Sequence, residues 1–70
     1  MTLHEILKII RKELNITQEQ LAHELNISFS TINRWENSRT SPSRLARMRL
    51  ADYCAKKGIP EAIVTQIEKV

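Results

Sequence analysis

The side chains able to do chemistry are gathered in one stretch of the chain. Between Arg34 and Lys57 stand seven basic residues (Arg34, Arg39, Arg44, Arg47, Arg49, Lys56 and Lys57) against only Glu36 and Asp52, a net charge of +5. The segments 1–33 and 58–70 each sum to −1. A basic block inside a near-neutral remainder is the electrostatic footprint of a site for a polyanion; the plainer alternative is a solvated helix face. Other chemistries find little support. His4 and His23 are far apart and Cys54 has no second cysteine at metal-ligand spacing, so no metal site or cofactor is expected. Serine, histidine and acidic residues are present, but no strained nucleophile turn, oxyanion loop or Gly-rich phosphate loop frames them. The chain is not expected to be an enzyme.

The elements that must position these groups are helices. At 41% hydrophobic and 27% charged, the chain is ordinary globular material, and its 70 residues are expected to form a single domain spanning 1–70 around one core. No run approaches the ~18 apolar residues needed to cross a bilayer, and the first residues lack the pattern of a signal peptide. The lone Cys54 suits a reducing compartment, so a cytoplasmic location is expected. One Gly and two Pro are too little punctuation for many strands and hairpins.

Five helices can be read from their start signals and apolar stripes. Thr2 with Glu5 forms a capping box ahead of Leu3, Ile6, Leu7, Ile10 and Leu14, and Asn15 is a plausible left-handed terminator. Thr17 with Gln20 is a second capping box, opening a short helix with Leu21, Ala22 and Leu25 on one face. Ser28 caps a third helix that buries Ile32 and Trp35. Ser41 followed by Pro42 reads as the start of a fourth helix, which runs to about Lys57 and stops at Gly58. Its apolar side is Ala46, Leu50, Tyr53 and Cys54, with Leu45 and Met48 elsewhere. Ile59 and Pro60 open a fifth, with Ile63, Val64, Ile67 and Val70 as its stripe; that stripe serves either as a dimer seam or as packing onto the chain's own core.

The informative stretch runs from Gln18 to Trp35. Two helices of about eight residues are joined by a turn so tight that they must cross steeply. Such a crossing needs a small side chain, and Ala22 supplies it. The turn needs a residue that tolerates positive φ, and Asn26 is among the few types that do. Ile27 and Ile32 give apolar contacts back to Leu21 and Leu25.

The segment TQEQLAHELNISFSTINRWENSRTSP (17–42) resembles the helix-turn-helix of the phage repressor/Cro family, also called the XRE family, with Thr17-Gln18, Leu21-Ala22, Ile32 and Trp35-Glu36-Asn37 at matching places. Asn26 and Ser38 stand where that family commonly has glycine. The resemblance implies an all-α, five-helix, lambda-repressor-like DNA-binding domain with its helix-turn-helix at about 17–36. It further implies a double-stranded DNA partner read in the major groove by the helix 28–36. The implied setting is a bacterial or phage transcriptional regulator, repressor-like, working as a homodimer on a two-fold operator. Rival readings are an antitoxin or restriction–modification module and a helical protein-interaction adaptor. No small-molecule ligand or membrane partner is implied.

Base contacts of the family map onto Phe29, Ser30, Asn33 and Arg34. Arg34 suits guanine O6 and N7, Asn33 suits adenine, and Phe29 suits a thymine methyl. The alternatives are a phosphate contact for Arg34, plain solvated surface for Asn33, and packing over Leu25 or into a neighbouring subunit for Phe29. Backbone contacts map onto Gln18, at a helix N-terminus that favours anions, and onto Asn37, Arg39 and Arg44. Thr17 reads first as a cap and second as a phosphate ligand, and Arg47 and Arg49 as solvated surface. Glu36 would repel phosphates, so it is expected to turn inward and pair with Arg11, where the family has a structural ion pair.

Overall fold

A computed structural model describes residues 2–69. Five helices follow one another: α1 Leu3–Leu14, α2 Gln18–Leu25, α3 Phe29–Glu36, α4 Arg44–Lys56 and α5 Glu61–Lys69. No strand occurs among the described residues. The fold is all-α, and its radius of gyration, 10.6 Å, lies near the ~11 Å of a close-packed chain this long. One core therefore suffices. It is built from Ile6, Leu7 and Ile10 of α1, Leu21, Ala22 and Leu25 of α2, Ile32 and Trp35 of α3, Leu50, Ala51 and Cys54 of α4, with Ile59 and Ile67. Each fully buried Ile or Leu among them is worth about 1.5–3 kcal/mol of transfer free energy.

Local chemistry sets the helix starts. Glu5 accepts hydrogen bonds from the Thr2 backbone N–H (3.3 Å) and hydroxyl (2.7 Å), which hold its carboxyl below the usual glutamate range. Thr17 and Gln20 close a reciprocal box: Gln20 N–H donates to the Thr17 hydroxyl oxygen (3.1 Å), and Thr17 N–H to Gln20 Oε1 (2.8 Å). Ser28 accepts from the Thr31 N–H at 3.2 Å.

The helix ends share one device. After α1, α2, α3 and α4 a single residue turns left-handed: Asn15 (φ 55°), Asn26 (φ 56°), Ser38 (φ 59°) and Gly58 (φ 81°). The N–H that follows reaches back five residues, from Ile16 to Arg11, Ile27 to Ala22, Arg39 to Arg34 and Ile59 to Cys54. These are Schellman closures, usually accompanied by an apolar residue just past the turn. Ile16, Ile27 and Ile59 fill that role and pack against the core. Arg39, at the equivalent place after α3, is exposed.

Two helix starts differ from the sequence expectation. The fourth helix begins at Arg44 with Ser43 as its cap, the Ser43 hydroxyl accepting from Ala46 N–H at 3.2 Å. Pro42 lies before the helix and is buried. Ser43 offers the cap chemistry two residues after Ser41. The fifth helix begins at Glu61, with the Pro60 carbonyl accepting from Ile63 and Val64. Within α4, Leu50 and Cys54 are buried, Ala46 and Tyr53 half-buried, and Leu45 and Met48 exposed; Ala51 joins the buried side. In α5, Ile67 is fully buried, and Ile63 and Val64 pack against the same core. That stripe serves the chain's own packing; Val70 lies outside the described residues.

Candidate nucleic-acid interface

The α2–α3 unit presents one ridge. Ile32, Trp35 and Glu36 of α3 face inward, and Ala22 is buried in the core that α2 and α3 share. The opposite side carries Ser30, Asn33, Arg34 and Asn37, which share a helical face at i, i+3, i+4 and i+7. Ser30, Arg34 and Asn37 are exposed and Asn33 is half-buried. Phe29 lies at the edge of this ridge, four residues before Asn33 and three before the buried Ile32, and is 46% exposed.

The ridge residues differ in how freely they can reach outward. Arg34 makes no side-chain hydrogen bond or ion pair among the described residues, nor do Arg39 and Arg44. Asn33 is engaged at both ends: its Nδ2 donates to Gln18 Oε1 at 3.2 Å, and its Oδ1 accepts from Asn37 Nδ2 at 2.9 Å. Thr17 is occupied as the cap of α2. Gln18 is the first residue of that helix, beside backbone N–H groups that have no acceptor within it.

Arg11 and Glu36 meet in a bidentate pair, Nε to Oε2 at 2.7 Å and Nη2 to Oε1 at 2.8 Å, with Glu36 buried and Arg11 partly so. The hydrogen bonds to Glu36 raise the Arg11 pKa against the opposing effect of partial burial. The carboxylate is thereby turned away from the ridge.

The basic block does not act as one unit. Arg49, read as solvated surface, donates from Nη2 to the Leu25 carbonyl at 3.1 Å and closes the C-terminal end of α2. Lys56 pairs with Asp52 at 3.1 Å, and Lys57 with Glu24 at 3.5 Å. Among the described residues, the guanidinium groups without a partner are Arg34, Arg39 and Arg44, on the end of α3, the loop after it and the first residue of α4. Arg49 could be told from them only by knowing that the end of α2 would lie beside α4. No cluster of His, Cys, Asp and Glu among the described residues could hold a metal ion, and no described helix is long and apolar enough to cross a membrane.

A family model described as helix-turn-helix matches residues 7–56, from α1 to the end of α4. The chain belongs to this helix-turn-helix family, of the Cro/C1 type. Among curated proteins, it is similar to an uncharacterized HTH-type transcriptional regulator of Methanothermobacter thermautotrophicus, 35% identical over 54 residues, covering 77% of this chain and 78% of the relative. No solved structure matches the chain significantly. Outside the family match lie the start of α1 and residues 57–70 with α5, which contribute Ile6, Ile59 and Ile67 to the core.

Proposed function

We propose that this chain binds double-stranded DNA at a specific sequence as a transcriptional regulator, with α3 in the major groove. The observation that carries the reading is the ridge of α3: its apolar side is anchored under α1 and α2, and its polar side, with the unpartnered Arg34, stands open. An α-helix fits the major groove, and a free guanidinium can pair bidentately with guanine O6 and N7 for about 1–3 kcal/mol of discrimination. Ser30 and Phe29 are the other base-facing candidates, Phe29 toward a thymine methyl.

The phosphate contacts we assign to Thr17, Gln18, Asn37, Arg39 and Arg44 flank the reading helix on both sides. Each contact made by a cation should add nearly one unit to the slope of log K against log salt. The curated relative is named a transcriptional regulator, which supports the regulatory reading. Occupancy of an operator acts most simply by excluding other proteins, as a repressor does. One α3 covers about half a site, so a two-fold pair placing two such helices ~34 Å apart would complete it.

Selection of bound duplexes from a random pool tests this. The expected outcome is an enriched motif with guanine contacts, arranged as two inverted half-sites. No enrichment, together with salt-insensitive binding to a protein, would favour an adaptor. An enriched motif without symmetry would remove the dimer alone.

A further inference from the structure

Asn33 stands on the same ridge, yet its amino group and its carbonyl each already hold a protein partner. Asparagine that reads adenine uses its carbonyl and amino group together. Here the amino group donates to Gln18 Oε1 at 3.2 Å, and the carbonyl accepts from Asn37 Nδ2 at 2.9 Å. The result is a ladder of three neutral amides from the first residue of α2, across the middle of α3, to the residue that ends α3. We infer that Asn33 is a positioning residue, holding the Gln18 and Asn37 side chains in the orientation that meets backbone phosphates, instead of reading a base. This rests on the DNA-binding reading above.

The direction of the ladder matters. Because Gln18 accepts through Oε1, the end of its amide left over is the Nε2 amino group, a donor only. That donor sits at the N-terminus of α2, beside backbone N–H groups of the first turn, so the local field and the side chain both favour an anion. Turned the other way, Gln18 would present a carbonyl oxygen to a phosphate and repel it. Asn37 is held twice by the same residue, its side chain through Asn33 Oδ1 and its backbone N–H through the Asn33 carbonyl at 3.0 Å. Asn33 is half-buried, whereas Ser30 and Arg34 beside it are exposed, as suits a group working between two others.

A double-mutant cycle tests the inference. The duplex enriched by the wild-type chain, and its single-base-pair variants, are titrated with wild type, Asn33→Ala, Gln18→Ala and the double variant. Alanine is the better helix former, so the fold of α3 is kept. Asn33→Ala is expected to weaken binding roughly three- to tenfold, the range of one misplaced hydrogen bond. The loss should be equal for every base-pair variant, with the salt slope unchanged because no charge is removed. In the Gln18→Ala background it should shrink to the share carried through Asn37. In the free protein, the Asn33 side-chain amide resonances should shift on Gln18→Ala.

Multiplying losses in the double variant, loss of preference at one base pair, or unmoved amide resonances would each overturn the positioning role. Failure of the wild-type chain to enrich any duplex would instead overturn the DNA-binding reading, and this inference with it.

Discussion

Arg11 and Glu36, 25 residues apart, are joined by two hydrogen bonds of 2.7 and 2.8 Å, and the Glu36 side chain is only 2% exposed. The pair ties α1 to the last residue of α3. It thus anchors α3 at the end opposite to its Ser28 cap. Removing one partner of a buried pair leaves an uncompensated charge, at about 3–5 kcal/mol, a large part of the ~5–15 kcal/mol that holds a small domain folded. Glu36→Ala is therefore expected to lower stability by about 3 kcal/mol or more in urea unfolding. The double variant Arg11→Met, Glu36→Leu should recover most of that loss. A Glu36→Ala protein as stable as wild type would remove the pair from any structural role.

Ser38 holds a left-handed backbone (φ 59°), and its hydroxyl lies 2.6 Å from His4 Nδ1. Non-glycine residues in that region carry about 1–2 kcal/mol of strain, partly offset for glycine by the entropy it loses on folding. Ser38→Ala keeps the strain and loses the hydrogen bond; Ser38→Gly relieves the strain and loses the same bond. The glycine variant should be more stable than the alanine variant by about 1 kcal/mol in thermal unfolding. Equal stabilities would mean that the turn after α3 stores no strain.

The helix ends and starts set by single residues were readable in the chain, because a cap or left-handed turn is decided by groups within three or four positions. Thr17 with Gln20, Ser28 and Asn26 are of this kind. Ser41-Pro42 was misleading for the same reason. Two serines offer equivalent cap chemistry there, and the choice fell to Ser43 because Pro42 is buried, which is a tertiary matter. The site was less legible than the fold. Charge counting groups Arg34 with Arg49, Lys56 and Lys57, yet partners from α2 and from α4 itself engage the last three. Asn33 likewise has base-reading chemistry in the chain, and only the folded structure shows that Gln18 and Asn37 engage its amide.

Burial pushes the Cys54 thiol up to about 12 from an ordinary 9.0, and burial likewise raises Tyr53. The folded chain thus keeps protons that the unfolded chain releases. The contribution of these two groups should be flat below about pH 9 and fall as pH rises from there toward 12, because the unfolded state binds fewer protons in that window. Cys54→Ala should flatten part of this alkaline decline, whatever its cavity costs at neutral pH. Native protein should also resist alkylation at pH 8, since the thiolate is the nucleophile. Rapid labelling of folded protein would contradict the burial.

Arg34 and Arg49 offer a within-chain contrast between a guanidinium left without a side-chain partner among the described residues and one engaged within the fold. Arg49 closes α2 through the Leu25 carbonyl at 3.1 Å, a charge-assisted bond at a helix C-terminus worth about 1 kcal/mol. Arg34 has no side-chain partner among the described residues, so its replacement should leave stability within about 0.5 kcal/mol. Arg34→Ala is expected to weaken binding to the enriched duplex and to erase preference at one base pair, by about 1–3 kcal/mol. Arg49→Met should do the reverse, lowering the melting temperature by a few degrees while the folded protein keeps its full base preference. If Arg34→Ala weakens all duplexes equally, its guanidinium meets a phosphate, and the reading of bases passes to Ser30 and Phe29.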